Sequence, residues 1–324
     1  MRAKVRICGG MSHEFGMEMG VKQGDSLSPL LFILVMDEIH KVCKRRTQNM
    51  MVGYWNMRPI GARALLYADD IVLIADTQQK LQQSVTEWAE ELKRRGMIMN
   101  VSKSKVMVVS RGGRENIQIM VSEELLEQVG KYEYLGTMFS EDGKIDLEVM
   151  NRVRKGSTAY YAIKDCIFGK REIEKRIKNH VYRSVIEPIM LYGSESWPIK
   201  SCHENKIRTV EMKCHRKSVG KTRRDRIRNT RIREEVGMRD VSERIEMRQL
   251  GWFGHIQRMG DDRKAKQYVN VRVQGKRTVG RPRYSYEDRI EEIGRRRGKS
   301  VPEMRRLAAD RREWRRWVEA TPTL

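Results

Sequence analysis

Two adjacent carboxylates, Asp69 and Asp70, end the run Tyr67-Ala68-Asp69-Asp70. Short apolar runs flank it, Ala64-Leu65-Leu66 before and Ile71-Val72-Leu73-Ile74 after. Runs so short and partly β-branched fit buried strands, and Asp-Asp suits a turn, so the stretch predicts a tight β-hairpin with both carboxylates at its tip. Neighbouring carboxylates repel unless a cation lies between them or water solvates them freely. A divalent cation bound to triphosphate oxygens is the chemistry that most calls for such a pair, because hard cations take oxygen ligands. A plain solvated turn is the other reading.

Three elements have to position that tip. Ser28-Pro29 is a helix start, with Ser as N-cap and Pro at the first helical position. Leu30, Leu31, Leu34, Val35, Ile39 and Val42 then recur at helical spacing, which predicts a helix to about Lys44. Gly24, in the loop Gln23-Gly24-Asp25 ahead of it, lets backbone approach a ligand closely; a capping loop is the plainer reading. Between Gln78 and Arg95 the apolar stripe Leu81, Val85, Trp88 and Leu92 predicts a second helix, packed on the back of the Asp-bearing strands and ended by Gly96. Met99, Val101, Val106, Val108 and Val109 then suggest a returning strand.

With Gly20-Val21-Lys22-Gln23-Gly24-Asp25-Ser26-Leu27-Ser28-Pro29-Leu30 upstream and Gly96-Met97-Ile98-Met99-Asn100-Val101-Ser102-Lys103 downstream, the chain resembles the reverse transcriptases of non-LTR, LINE-type retrotransposons. The resemblance is specific over residues 18–140 and looser beyond. It implies an RNA-directed DNA polymerase that uses Mg²⁺, with Mn²⁺ as a substitute, and takes an RNA template, a DNA primer and dNTPs. Asp69 and Asp70 would be catalytic metal ligands, and Gln23, Gly24 and Tyr67 would shape the nucleotide pocket. Lys103 matches the lysine thought to protonate departing pyrophosphate; it can equally act as a point charge or be a surface lysine. Tyr132-Glu133-Tyr134-Leu135-Gly136-Thr137 resembles the segment leading to the primer grip and thumb. There Tyr134 and Gly136 are candidate nucleic-acid contacts, or an ordinary strand and turn.

The implied fold class is α+β. A partial polymerase palm, an antiparallel sheet with packed helices, would occupy residues 1–111. A primer-grip and thumb-like helical region would come next over 112–200, and a basic helical tail over 201–324. In the tail, the segments from Gln249 to Met259, around Trp252 and His255, and from Gly275 to Arg283 resemble the tail found after the polymerase in several LINE clades, with an ordinary linker as the other reading of Gly280-Arg281-Pro282-Arg283.

Charge agrees with a polyanion partner. The 324 residues carry a formal net charge of +23. Residues 201–324 hold 35 Lys and Arg against 18 Asp and Glu, whereas residues 1–200 hold 31 against 25. A field of that sign gathers nucleic acid and weakens with salt. Arg223, Arg224, Arg281 and Arg283 are candidate phosphate contacts, since guanidinium groups fork onto phosphate. Solvated helix faces and nuclear-import signals share such patterns.

No membrane span or signal peptide is legible. Five scattered cysteines predict a reducing, intracellular setting, nuclear or cytoplasmic. Cys202-His203 and Cys214-His215 offer four soft ligands, but their spacing fits no common zinc site and structural zinc is not expected.

One departure matters. Two-metal nucleotidyl transfer draws carboxylates from two strands. The resemblance places another Asp upstream of the Gln-Gly-Asp loop, yet residues 1–19 contain none. The sequence therefore reads as an amino-terminally truncated polymerase, inactive unless another chain supplies the missing fingers and strand. The alternative is a non-catalytic basic nucleic-acid-binding remnant.

Overall fold

A computed structural model describes residues 2–16, 20, 24–110, 115–272 and 284–320. Gln23, Arg281 and Arg283 lie outside the described residues. The described residues form two compact units.

The first unit comprises those within Met1–Val108, Arg114–Val129 and Val271–Gln274. It opens with the short strands β1 (Arg2–Ala3), β2 (Arg6–Ile7), β3 (Gly10–Met11) and β4 (Phe15–Gly16). Helix α1 (Ser28–Arg46) comes next, then the hairpins β5 (Met50–Trp55) with β6 (Arg58–Ala62) and β7 (Ala64–Tyr67) with β8 (Asp70–Leu73). Helix α2 (Gln78–Arg94) leads to β9 (Lys105–Val106), β10 (Met120–Val121), β11 (Glu124–Leu125) and β12 (Glu127–Gln128).

Among the described residues the strands pair only two at a time, and β9 with β12 is a parallel pair. One continuous antiparallel sheet, the arrangement expected for a palm, is not formed here. Its strands are short, and the helices rather than neighbouring strands cover their apolar faces. The returning strand is likewise reduced to Lys105–Val106, because residues 101–103 form a turn. In that turn Asn100 Oδ1 accepts from the Lys103 amide at 3.1 Å and from Ser102 Oγ at 2.8 Å.

The core of this unit joins α1, α2 and the β7–β8 hairpin. Met36, Ile39 and Cys43 of α1 meet Trp88 and Leu92 of α2, with Leu66, Ile71 and Leu73 against them. The α2 stripe thus backs the Asp-bearing hairpin as its spacing predicts. The α1 stripe does not: Leu30, Leu31, Leu34 and Val35 are exposed, and the buried line runs through Met36, Ile39 and Cys43. Periodicity identifies an apolar face, but only the partner decides which edge of it is covered.

The cap of α1 is also displaced. Asp25 Oδ2 accepts from the Ser28 amide at 3.2 Å and from Ser28 Oγ at 3.0 Å, so Asp25 satisfies the helix end and Ser28 is already inside the helix. Gly96 ends α2 at φ 74°, with the Met97 amide donating back to Leu92 O at 2.9 Å.

The second unit comprises the described residues within Val109–Gly113, Gly130–Asn270 and Gly275–Leu324. It begins with the hairpin β13 (Lys131–Tyr134) and β14 (Thr137–Ser140), then becomes helical. Helix α3 (Asp146–Ile163) runs into a π-helical segment, Lys164–Phe168. After it come α4 (Lys175–Val181), a second π segment Tyr182–Ile186, α5 (Glu187–Met190), α6 (Ser201–Ser218) and α7 (Asn229–Val236). The chain continues through α8 (Val241–Arg258), α9 (Lys264–Val269), α10 (Tyr286–Arg296), α11 (Val301–Leu307) and α12 (Arg311–Glu319).

Its larger core gathers Phe168, Tyr182, Ile186, Met190, Ile207 and Ile245 among others; a smaller one packs Leu250 and Phe253 against Ile290, Met304 and Trp314. Among the described residues no helix is long and apolar enough to cross a membrane.

Candidate functional site

The β7–β8 ladder pairs Ala64 with Leu73, Leu65 with Val72, Leu66 with Ile71 and Tyr67 with Asp70. Two residues, Ala68 and Asp69, make the turn, and Ala68 has φ 53°. A positive φ at the first central position matches the right-handed twist of a hairpin. Asp70 is the first residue of β8 rather than part of the turn.

Alternation divides the strands: Leu66, Ile71 and Leu73 face the helices, while Leu65 and Tyr67 are 44% and 63% exposed. The expected buried strands are therefore half-buried, because the ribbon is covered on one face only. Tyr67, Asp69 and Asp70 stand together on an exposed tip with a rigid apolar backing.

Gly24 has φ 85°, a backbone state that favours glycine, in the loop entering α1. Asp25 is exposed, with its Oδ2 engaged at the helix end. Lys103 is exposed on the turn after α2, whereas its neighbour Lys105 pairs with Glu127 at 2.7 Å.

Asp69 and Asp70 offer the oxygen donors that a hard divalent cation takes. Among the described residues, however, no group of three or more His, Cys, Asp or Glu side chains could hold a metal ion. The carboxylate pair fits part of a magnesium site and not the whole of a two-metal one.

In the second unit Tyr134 and Gly136 lie at the β13–β14 turn. Leu135 and Gly136, at φ 47° and 76°, form its two central residues. The turn is clamped from three sides. Arg152 donates to the Gly136 carbonyl, Glu148 Oε2 accepts from the Met138 amide at 2.8 Å, and the Tyr192 hydroxyl donates to Leu135 O at 2.9 Å. Arg152 and Glu148 are themselves paired at 2.5 Å, both buried, with the guanidinium 4.5 Å from the Tyr192 ring centre. Sequence reasoning missed this clamp, although Glu148 and Arg152 stand four apart on one helix face.

Arg223 and Arg224 are exposed on the loop between α6 and α7. Asp225 Oδ2 closes a turn on Thr222, accepting from its amide at 2.6 Å and its hydroxyl at 2.8 Å. Arg216, also missed from sequence, ties the loop down by donating to Ile227 O at 2.7 Å, Asn229 Oδ1 at 2.8 Å and Thr222 O at 3.3 Å. An ordered loop thus presents Lys221, Arg223, Arg224, Arg226 and Arg228 to solvent against one carboxylate.

The two Cys-His pairs serve separate ends of α6. His203 Nε2 lies 3.0 Å from Asp146 Oδ1, and that contact holds the Asp146 carboxyl below its ordinary range. Cys202 is exposed, while burial raises the Cys214 thiol well above its usual value. The pairs are offset by twelve residues of helix, roughly 18 Å, too far to share one ion.

Comparison with known proteins shows what the chain is similar to. Residues 4–139 match the family model described as reverse transcriptase (RNA-dependent DNA polymerase), less than half of the chain. Among relatives, a transposon-derived protein of Caenorhabditis elegans is 27% identical over 260 residues, covering 77% of this chain and 92% of that protein. A retrovirus-related Pol polyprotein from the type-1 retrotransposable element R2 of Nasonia vitripennis is 32% identical over 140 residues. The corresponding polyprotein of the type-2 element R2DM of Drosophila melanogaster is 30% identical over 146 residues. These two matches cover 40% and 42% of this chain but 13% of each polyprotein. No solved structure matches the chain. The first part of the chain is therefore similar to reverse transcriptases of R2-type, non-LTR retrotransposons.

Proposed function

We propose that this chain is a partial palm (1–111), thumb-like region (112–200) and basic tail (201–324) of an RNA-directed DNA polymerase of a non-LTR retrotransposon. The observation that carries the reading is the exposed tip of β7–β8, where Tyr67, Asp69 and Asp70 project from a hairpin whose other face is packed on α1 and α2.

The reaction is attack of a primer 3′-hydroxyl on the α-phosphate of a dNTP, forming a P–O bond and releasing pyrophosphate. A divalent cation, generally Mg²⁺ in reverse transcriptases, supplies charge stabilisation at the phosphate oxygens. Asp69 and Asp70 are the residues that would hold it. Gln23, Gly24 and Tyr67 would line the nucleotide pocket, Gly24 by letting backbone come close. Lys103 would give a proton to the leaving pyrophosphate or balance its charge. Arg223 and Arg224 would take phosphates of the RNA template or DNA primer, and Tyr134 and Gly136 would touch the strand at the clamped turn.

Two carboxylates fall short of a two-metal set, and each missing bridge costs several kcal/mol of transition-state stabilisation. The chain alone is therefore a nucleic-acid binder with a dormant tip. A further Asp supplied by another polypeptide segment would restore turnover.

Primer extension on an RNA template, in Mg²⁺ and in Mn²⁺, tests this beside Asp69→Asn/Asp70→Asn. The expected result is no extension by either protein and salt-sensitive RNA binding by both. Extension lost in the double variant would establish a complete site and overturn the dormancy. Absence of RNA binding would sink the whole reading.

A further inference from the structure

Within the second unit, α3 and α6 lie side by side and run parallel. Contacts join Asp146 to His203 at their starts and Tyr161, near the end of α3, to Lys213, while Asp165 in the π segment that follows α3 lies 3.6 Å from Lys217. Where they meet solvent, Tyr161 is 57% exposed. Its ring is the outer member of an aromatic series that begins in the core. Phe168 and Tyr160, both buried, lie 5.9 Å apart, and Tyr160 lies 5.2 Å from Tyr161. The exposed ring thus rests on a rigid support.

Two ammonium groups crowd the same ring, Lys213 Nζ at 5.4 Å and Lys164 Nζ at 5.9 Å from its centre. Lys164 opens the π-helical segment at the end of α3, and π turns inside helices often occur at functional sites. Lys217 lies one turn beyond Lys213 on α6, its stem passing over Gly169, where a Cβ would stand 2.9 Å from Lys217 Cε. The carboxylate paired with these lysines is Asp165, 76% exposed and 3.6 Å from both Lys164 and Lys217. Three cations against one loosely held anion leave a local positive excess around an exposed aromatic face. The charge continues from Lys217 into the loop of Lys221, Arg223 and Arg224, whose first amide donates to Arg216 O at 2.8 Å.

We propose that Tyr161 is the stacking platform for an unpaired base of single-stranded nucleic acid, with Lys164, Lys213 and Lys217 on its flanking phosphates. The inference deepens the nucleic-acid reading above and rests on it. An exposed ring among lysines suits a single strand because every base offers a π-face while the cations follow the backbone. A duplex keeps its bases stacked internally and gains nothing from the ring.

The test is fluorescence anisotropy of the full chain with labelled oligo-dT and oligo-rU of about 12 nucleotides, and with a duplex of equal length, over a range of salt. Tyr161→Ala and Tyr161→Leu are expected to weaken single-strand binding on the order of ten- to a hundredfold and to spare the duplex. Tyr161→Phe should bind as the parent does. Lys213→Gln/Lys217→Gln should make the salt slope of log K shallower by about 1.4. Unfolding midpoints of the Tyr161 variants matching the parent would show that the fold survives.

Parent-like affinity and slope in the Tyr161 and lysine variants would overturn the site, while leaving nucleic-acid binding by the chain in place. Equal losses on single strand and duplex would overturn stacking. A parent chain that binds neither would overturn both.

Discussion

Tyr67 stands opposite Asp70 across the β7–β8 ladder, and the turn that joins them places Ala68 at φ 53°. A side chain at positive φ is strained, so this turn carries a cost that the helices behind the hairpin offset. Ala68→Gly should relieve it and raise stability by roughly 0.5–1 kcal/mol, and Ala68→Val should lower it by roughly 1–2 kcal/mol, because β-branching adds to the strain. Urea denaturation of the three proteins checks both signs. Equal midpoints would mean that the turn is not held as described.

Helix α8 offers a paired test in two glycines three residues apart. A Cβ on Gly254 would run into Trp314 Nε1, which donates to Leu250 O at 3.1 Å, whereas nothing lies within 4 Å of one on Gly251. Gly254→Ala should destabilise by about 1–3 kcal/mol through overpacking. Gly251→Ala should stabilise by about 0.5–1 kcal/mol through helix propensity. Opposite shifts in thermal midpoint are the expected result, and shifts of one sign would contradict the packing.

Arg152 spans the buried Glu148 carboxylate and the carbonyl of Gly136, which is itself exposed. Removing one partner of a buried pair strands the other, so Arg152→Ala should cost about 3–5 kcal/mol. Arg152→Lys should not rescue it, since one ammonium cannot serve both partners in the guanidinium's planar geometry. Loss of amide protection at Met138 in hydrogen exchange would report release of the clamp. Full rescue by lysine would show that charge alone suffices.

The centre of the second unit carries opposed titrations. Burial, with Arg233 and Arg244 nearby, holds the His215 imidazole down at about 3 from 6.5. Burial pushes Glu211 up to about 7 from 4.5, against the pull of Arg233 at 2.6 Å. His215 binds fewer protons folded than unfolded, so its contribution is present above pH 6.5 and is lost as pH falls toward 3. Glu211 has the reverse sign, its contribution being present below pH 4.5 and lost as pH rises through 7.

Neither His215 nitrogen has a hydrogen-bond partner among the described residues, and the Glu211 carboxylate oxygen paired with it is 3.9 Å away. His215→Leu should therefore be tolerated at pH 7. Between pH 7 and pH 5 it should gain about 2 kcal/mol relative to the parent. Denaturant titrations at the two values measure the gap, and an unchanged gap would mean that the imidazole protonates freely.

Local chemistry alone located the α2 stripe on the back of the Asp hairpin, the glycine that ends α2 and the hairpin between the two short apolar runs. Helical spacing, a glycine terminator and a turn between short apolar runs act over a few residues, where the chain has few alternatives. What failed was the cap of α1 and the edge of that helix that is covered. Asp25 rather than Ser28 caps α1, and Leu30, Leu31 and Leu34 face solvent while Met36, Ile39 and Cys43 are covered. Which edge of a helix is buried depends on what packs against it, and no local pattern names that partner.

The sequence by itself determined the paired carboxylates, their flanking strands, the likeness to reverse transcriptases and the basic excess of residues 201–324. Only the tertiary structure decided that Tyr161 meets Lys213, 52 residues on, that Arg152 clamps the Gly136 turn, and that Arg216 orders the arginine loop. Such contacts close long stretches of chain, and packing rather than spacing selects them.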